Sequence, residues 1–177
     1  MRRFLDRLYL ASGAVGAVFV LLICVLMIAQ TILREFQVRT GAVNDVVAWF
    51  CAAASFFAMA HAFKHGDFVR VTLLLEKVPD RVRRALEIGC LAVGALCVGY
   101  LAYWANKFTY DSWAFGEVAQ GLLPIPIWIP QASFALGSLL LFIAMVDELV
   151  IVLRGAKPSY VVAVEERHAK GDFSSEV

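Results

Sequence analysis

Few side chains in this sequence could do chemistry. Cys24, Cys51, Cys90, Cys97 and His61 fall within long uncharged stretches, and Asp147 with Glu148 closes the last of them. Two histidines on opposite sides of a haem could ligate its iron. His61 and His65 are four residues apart, so a helix puts both on one face, which does not suit a haem between them. Packing against a neighbour, or a place at a membrane surface, is the plainer role for His61. A carboxylate deep in a membrane span could couple proton flow to export. Asp147 and Glu148 lie too near the end of their stretch for that, and pairing with Arg154 or with a partner chain suits them better. No C-x-x-C occurs, so the cysteines read as small buried hydrophobes rather than as a redox centre. No catalytic group, metal site or cofactor is expected.

The stretches that must position these residues decide the fold class. Arg7 and Arg34 enclose the first, Asp45 and Lys64 the second, Glu87 and Lys107 the third, and Glu117 and Asp147 the fourth. Each is at or near the ~20 residues that a helix needs to cross a hydrocarbon core of about 30 Å. Lipid offers no partner for backbone N–H and C=O groups, so each must be helical. The chain has 177 residues, 61% of them hydrophobic, and a net charge of +1. Its mean hydropathy is +0.74. A soluble globule of this size could not hide that much apolar surface, and the charge gives no reason to expect nucleic acid as a partner. The expected fold is all-α: a polytopic membrane protein with four transmembrane helices and short interfacial helices. The spans are expected near residues 11–33, 46–63, 88–104 and 128–153 in a membrane domain 1–157, followed by a polar, disordered tail 158–177. The first apolar run is much longer than a signal peptide's and has no small-x-small cleavage site, so it reads as an uncleaved span.

Charge gives the orientation. The N-terminus, the second connection and the tail carry thirteen of the lysines and arginines, and the first and third connections carry three. This bias puts both termini in the cytoplasm. Asn44 is a candidate N-cap for the second span, with Asp45 in its first turn. The segment Val69 to Leu75 alternates charge with apolar residues and could lie in the interface. Pro79-Asp80 starts a further helix. Tyr100, Tyr103, Trp104, Phe108, Tyr110 and Trp113 form an aromatic belt. Pro124, Pro126 and Pro130 keep the approach to the last span extended. Small residues recur at helical spacing: Ser12 and Gly16, Ala54 and Ala58 and Ala62, Ala95 and Gly99, Ser133 and Gly137. Such pairs let helices approach closely, within this chain or against a second membrane protein.

Specific residues resemble a family, the small membrane subunit (DctQ-like) of tripartite ATP-independent periplasmic (TRAP) transporters. An acidic residue, Asp45, opens the second span. A basic-Gly-x-x-Val-x-Val element closes it as Lys64-His65-Gly66-Asp67-Phe68-Val69-Arg70-Val71. A Pro-x-Arg-x-x-Arg element follows as Pro79-Asp80-Arg81-Val82-Arg83-Arg84. Before the fourth span stands Pro126-Ile127-Trp128-Ile129-Pro130. The likeness runs from about Leu8 to Leu153. Asp67 stands where members often carry His, and Asp45 where they usually carry Glu.

The resemblance implies a non-catalytic subunit in a bacterial inner membrane. Its partners are a large DctM-like permease, which carries the substrate and sodium sites, and a periplasmic DctP-like binding protein. Transport is ion-coupled symport of organic acids. In this reading Gly66 permits a sharp turn, and Lys64, Arg70, Arg81, Arg83 and Arg84 anchor to anionic lipid headgroups. Trp128, between Pro126 and Pro130, sets the entry depth of the fourth span. His65 and Asp45 join them as candidate partner or interface residues. The alternatives are a membrane anchor for a redox enzyme and a small self-sufficient exporter.

Overall fold

The computed structural model describes residues 2–38, 40–66, 79–156 and 158–169. Five helices make up most of it: α1 (Arg2–Glu35), α2 (Gly41–His65), α3 (Asp80–Ala114), α4 (Trp128–Leu153) and α5 (Ser159–Ala169). The first four are long and apolar enough to cross a membrane. At 1.5 Å per residue, α1 and α3 reach about 50 Å, well beyond the hydrocarbon thickness. The interfacial segment expected at Val69 to Leu75 lies outside the described residues.

Several boundaries differ from those the sequence predicts, for local reasons. α1 runs from Arg2 to Glu35, beyond the expected 11–33 at both ends, and stops there because Gln37 takes a left-handed conformation (φ 56). Val38 N–H then bonds back to the Leu33 carbonyl at 3.1 Å. α2 begins at Gly41, three residues before the expected cap. Asn44 therefore lies inside the helix, with Thr40 at the N-cap position, and its side-chain oxygen accepts from Gln30 Nε2 at 3.0 Å. α3 starts at Asp80, directly after Pro79. It continues ten residues past Trp104, with Asn106 and Thr109 bonded back to the carbonyls of Ala102 and Ala105. Residues 117–127 form a tight hairpin between α3 and α4, where Ala119 N–H bonds to Ile125 O and Ile127 N–H to Glu117 O. The tail, expected to be disordered, contains α5.

The spans stand in a row. α1 packs on α2, α2 on α4, and α4 on α3. Small residues set the spacing. A Cβ on Gly16 would sit 3.1 Å from the Ala54 carbonyl oxygen, and one on Gly137 would sit 2.6 Å from Phe56 Cβ. Ser12 Oγ donates across the α1–α2 contact to Phe57 O at 2.5 Å. The Phe19 ring lies 5.3 Å from Phe50, and Phe56 meets Phe134 edge-on at 4.3 Å. Gly16, Ala54, Ala58 and Gly137 therefore serve packing within this chain.

A row has little interior. α1 turns Leu10, Val18, Val20, Leu21, Val25, Ile28 and Ile32 outward, and all four cysteines are exposed on the outer surface rather than buried. Water would make such a surface an aggregation site, while lipid solvates it. Small alanines fill the rest of the contacts, and one cluster of buried side chains gathers toward one end: Tyr9, Ala60, Phe63, Leu91, Leu141, Ala144, Val152 and Tyr160.

Candidate functional site

That core surrounds a buried ion cluster. Lys64, in the last turn of α2, donates to Asp147 Oδ2 at 2.6 Å and lies 2.9 Å from Glu148 Oε1. Glu148 is fully buried and Lys64 nearly so, whereas Asp147 keeps about a fifth of its side chain exposed. The Tyr9 ring of α1 closes the site from beneath, 5.2 Å from Lys64 Nζ. A cation facing an aromatic ring gains roughly 2 kcal/mol when both are desolvated. From α5, the Ser159 backbone N–H donates to Glu148 Oε2 at 2.9 Å. From α3, Arg84 Nη2 donates to Val152 O at 3.3 Å. All five helices thus meet at the end of the row that carries the basic segments.

Chemically the cluster is a closed knot. Its cation is held by two carboxylates, one of them fully buried. It lies in the final turn of α2 and the last third of α4, away from mid-span. Among the described residues, no three His, Cys, Asp or Glu side chains are placed to hold a metal ion. A pathway for solute or protons needs polar groups through the middle of the spans. The row offers apolar side chains there, together with hydroxyls such as Ser55, which bonds to its own helix at Cys51 O.

Comparison with known proteins agrees with this architecture. The family described as Tripartite ATP-independent periplasmic transporters, DctQ component, matches residues 23–155. The chain belongs to this DctQ family. It is also similar to the "Ectoine TRAP transporter small permease protein TeaB" of Halomonas elongata, at 26% identity over 123 residues. That match covers 67% of this chain and 62% of the relative. With four apolar helices, this DctQ chain is a multi-pass protein of the bacterial inner membrane.

The candidate residues of this DctQ chain divide between the two ends of the row. Lys64, His65, Gly66 and Arg84 lie at the ion-cluster end. Gly66 caps α2 in the left-handed conformation (φ 76), its N–H reaching the carbonyls of Ala62 and Phe63. The His65 ring lies 4.0 Å from the His61 ring, tilted by 30°, four residues on along the same face. Arg81 occupies the first turn of α3, and Arg70 lies outside the described residues. At the hairpin end, Asp45 Oδ2 accepts from Leu122 N–H at 3.4 Å and crowds Gly121. Pro126 bridges to Val118, Trp128 is the first residue of α4, and Pro130 lies in its first turn. Pro130 also walls a largely apolar groove of about 310 Å³, with Phe19, Trp49, Phe50 and Ile129.

Two expectations fail here. Lys64 does not reach lipid headgroups but turns inward. Asp147 and Glu148 pair with it and not with Arg154. The physical reason is depth: a lysine ending one span and a carboxylate pair near the end of another lie at the same level, and a buried charge without a partner is too costly. Nothing in the sequence marks Tyr9, Ser159 or Tyr160 as part of this cluster. A tyrosine just after Arg7 reads as an interfacial residue, and a backbone N–H leaves no trace in sequence.

Proposed function

We propose that this chain is the small, non-catalytic membrane subunit of a TRAP-type secondary transporter. It supports a large DctM-like permease in ion-gradient-driven symport of an organic acid delivered by a periplasmic DctP-like binding protein. The observation that carries this reading is the closed ion cluster at one end of a row of otherwise uncharged spans. Such a row provides rigid width in a bilayer and no route through it. A permease whose substrate-carrying part moves needs a static surface to move against, and four helices in a row extend one laterally. The charge bias supports an orientation with both termini in the cytoplasm, which puts the ion cluster on the cytoplasmic side and the hairpin on the periplasmic side. On the cytoplasmic side Arg84 and its basic neighbours meet anionic headgroups, and on the periplasmic side the outer connections face the binding protein.

Reconstitution tests this. Proteoliposomes that hold the permease and this chain, with binding protein outside and an imposed sodium gradient, should accumulate a labelled organic acid. Labelled ectoine, the solute in the relative's name, is a second candidate. Omitting this chain should abolish uptake, and this chain alone should accumulate nothing. Uptake by this chain alone would refute the reading.

A further inference from the structure

We propose that α5 is a strap held onto the membrane domain by Glu148, and that its docking completes the charge balance of the buried cluster. The cluster has one cation, Lys64, and two carboxylates. Asp147 retains solvent contact, but Glu148 has none. A fully buried carboxylate needs compensation beyond a shared ammonium group. The helix N-terminus of α5 provides it. Ser159 is the first helical residue, and its N–H meets Glu148 Oε2 at 2.9 Å. A helix N-terminus carries roughly half a positive charge on its open N–H groups. The exchange is mutual, because one of those N–H groups is satisfied only by this carboxylate.

The rest of α5 fits a strap. It has eleven residues, fewer than the ~12–15 at which isolated helices become even marginally stable. Its order therefore depends on what it docks against. Tyr160 is 4% exposed, with its ring 6.0 Å from Phe63. Gly66 brings the α2 terminus so close that a Cβ there would lie 2.8 Å from the Tyr160 carbonyl oxygen. Pro158, also buried, precedes Ser159 and sets the direction of entry.

Hydrogen–deuterium exchange on the full chain in nanodiscs tests it, comparing the wild type with Glu148→Gln and Ser159→Pro. The glutamine is isosteric but uncharged. Proline is well tolerated at a first helical position, so Ser159→Pro removes the N–H donor and leaves the helix able to form. Both variants should speed exchange in residues 160–169 at least about tenfold, while amides in the middle of α2 and α4 keep wild-type rates. Unchanged exchange in α5 in both variants would overturn the proposal, since burial of Tyr160 would then suffice to hold it. Should Glu148→Gln not yield a monodisperse protein, Ser159→Pro decides alone.

Discussion

Replacing Lys64 by Met separates two accounts of this residue by magnitude. Met keeps most of the side-chain length and removes the charge. In the structure, Lys64 Nζ is within 2.9 Å of both carboxylates, and Glu148 is fully buried. Removing one partner of a buried ion pair costs about 3–5 kcal/mol, because the other charge is left uncompensated. Asp147 is 21% exposed and can rehydrate, so the lower half of that range applies to it, while Glu148 cannot. For a chain of this size, 1 kcal/mol moves the melting temperature by about 2–4 °C, which puts the expected drop at roughly 6–20 °C. A lysine bound to headgroups would contribute about 1 kcal/mol, and only in anionic lipid. The assay is thermal unfolding in nanodiscs, followed by the fluorescence of Trp49, Trp104, Trp113 and Trp128, with and without anionic lipid. The large drop should appear in both lipids. Adding Glu148→Gln to Lys64→Met should recover part of it, because the orphaned buried charge is gone. A drop under about 4 °C that vanishes in zwitterionic lipid, with no recovery in the double variant, would refute the reasoning.

Gly66→Ala should destabilise by about 1–2 kcal/mol or more, since φ 76 strains an L-residue and its Cβ would press on the Tyr160 carbonyl. Gly89→Ala is the control: nothing lies within 4 Å of its Cβ, so helix propensity should leave it neutral or stabilised by up to about 1 kcal/mol. Melting temperatures of the two variants check both. Gly137→Val should force α2 from α4 at Phe56 and lower the yield of folded protein in size-exclusion chromatography, whereas Leu136→Val, on an exposed site of the same helix, should not. Orientation is read with a membrane-impermeant maleimide on intact spheroplasts, in a background with the four native cysteines replaced by alanine. Lys107→Cys should label, and Ala169→Cys should label only after lysis.

What was legible in the sequence was what the bilayer itself dictates. Uncharged length fixes where helices run, because unpaired backbone and unpaired charge are both excluded from hydrocarbon. The spans centred near Leu22, Ala54, Leu96 and Leu140 follow from that alone. Helix ends were less legible, because they depend on partners far away in sequence. Asn44 has the chemistry of a cap but is claimed by Gln30, and Asp45 is claimed by Leu122, 77 positions on.

The ion cluster was the least legible, although every residue in it was visible. Lys64 and Asp147 are 83 positions apart, and local charge patterning draws the eye to Arg154, six residues from Glu148 along the chain. Depth was the usable clue. Spans that alternate in direction bring the end of α2 and the end of α4 to the same side. A row in which these two helices are adjacent makes Lys64 the nearest cation that can be desolvated along with them. Arg154 follows the last residue of α4 and can reach water, so pairing it with Glu148 would require drawing an exposed guanidinium into the core. A lysine already held at the α2–α4 contact needs no such movement. In membrane proteins of this kind, charges near span ends are better paired by depth than by distance along the chain.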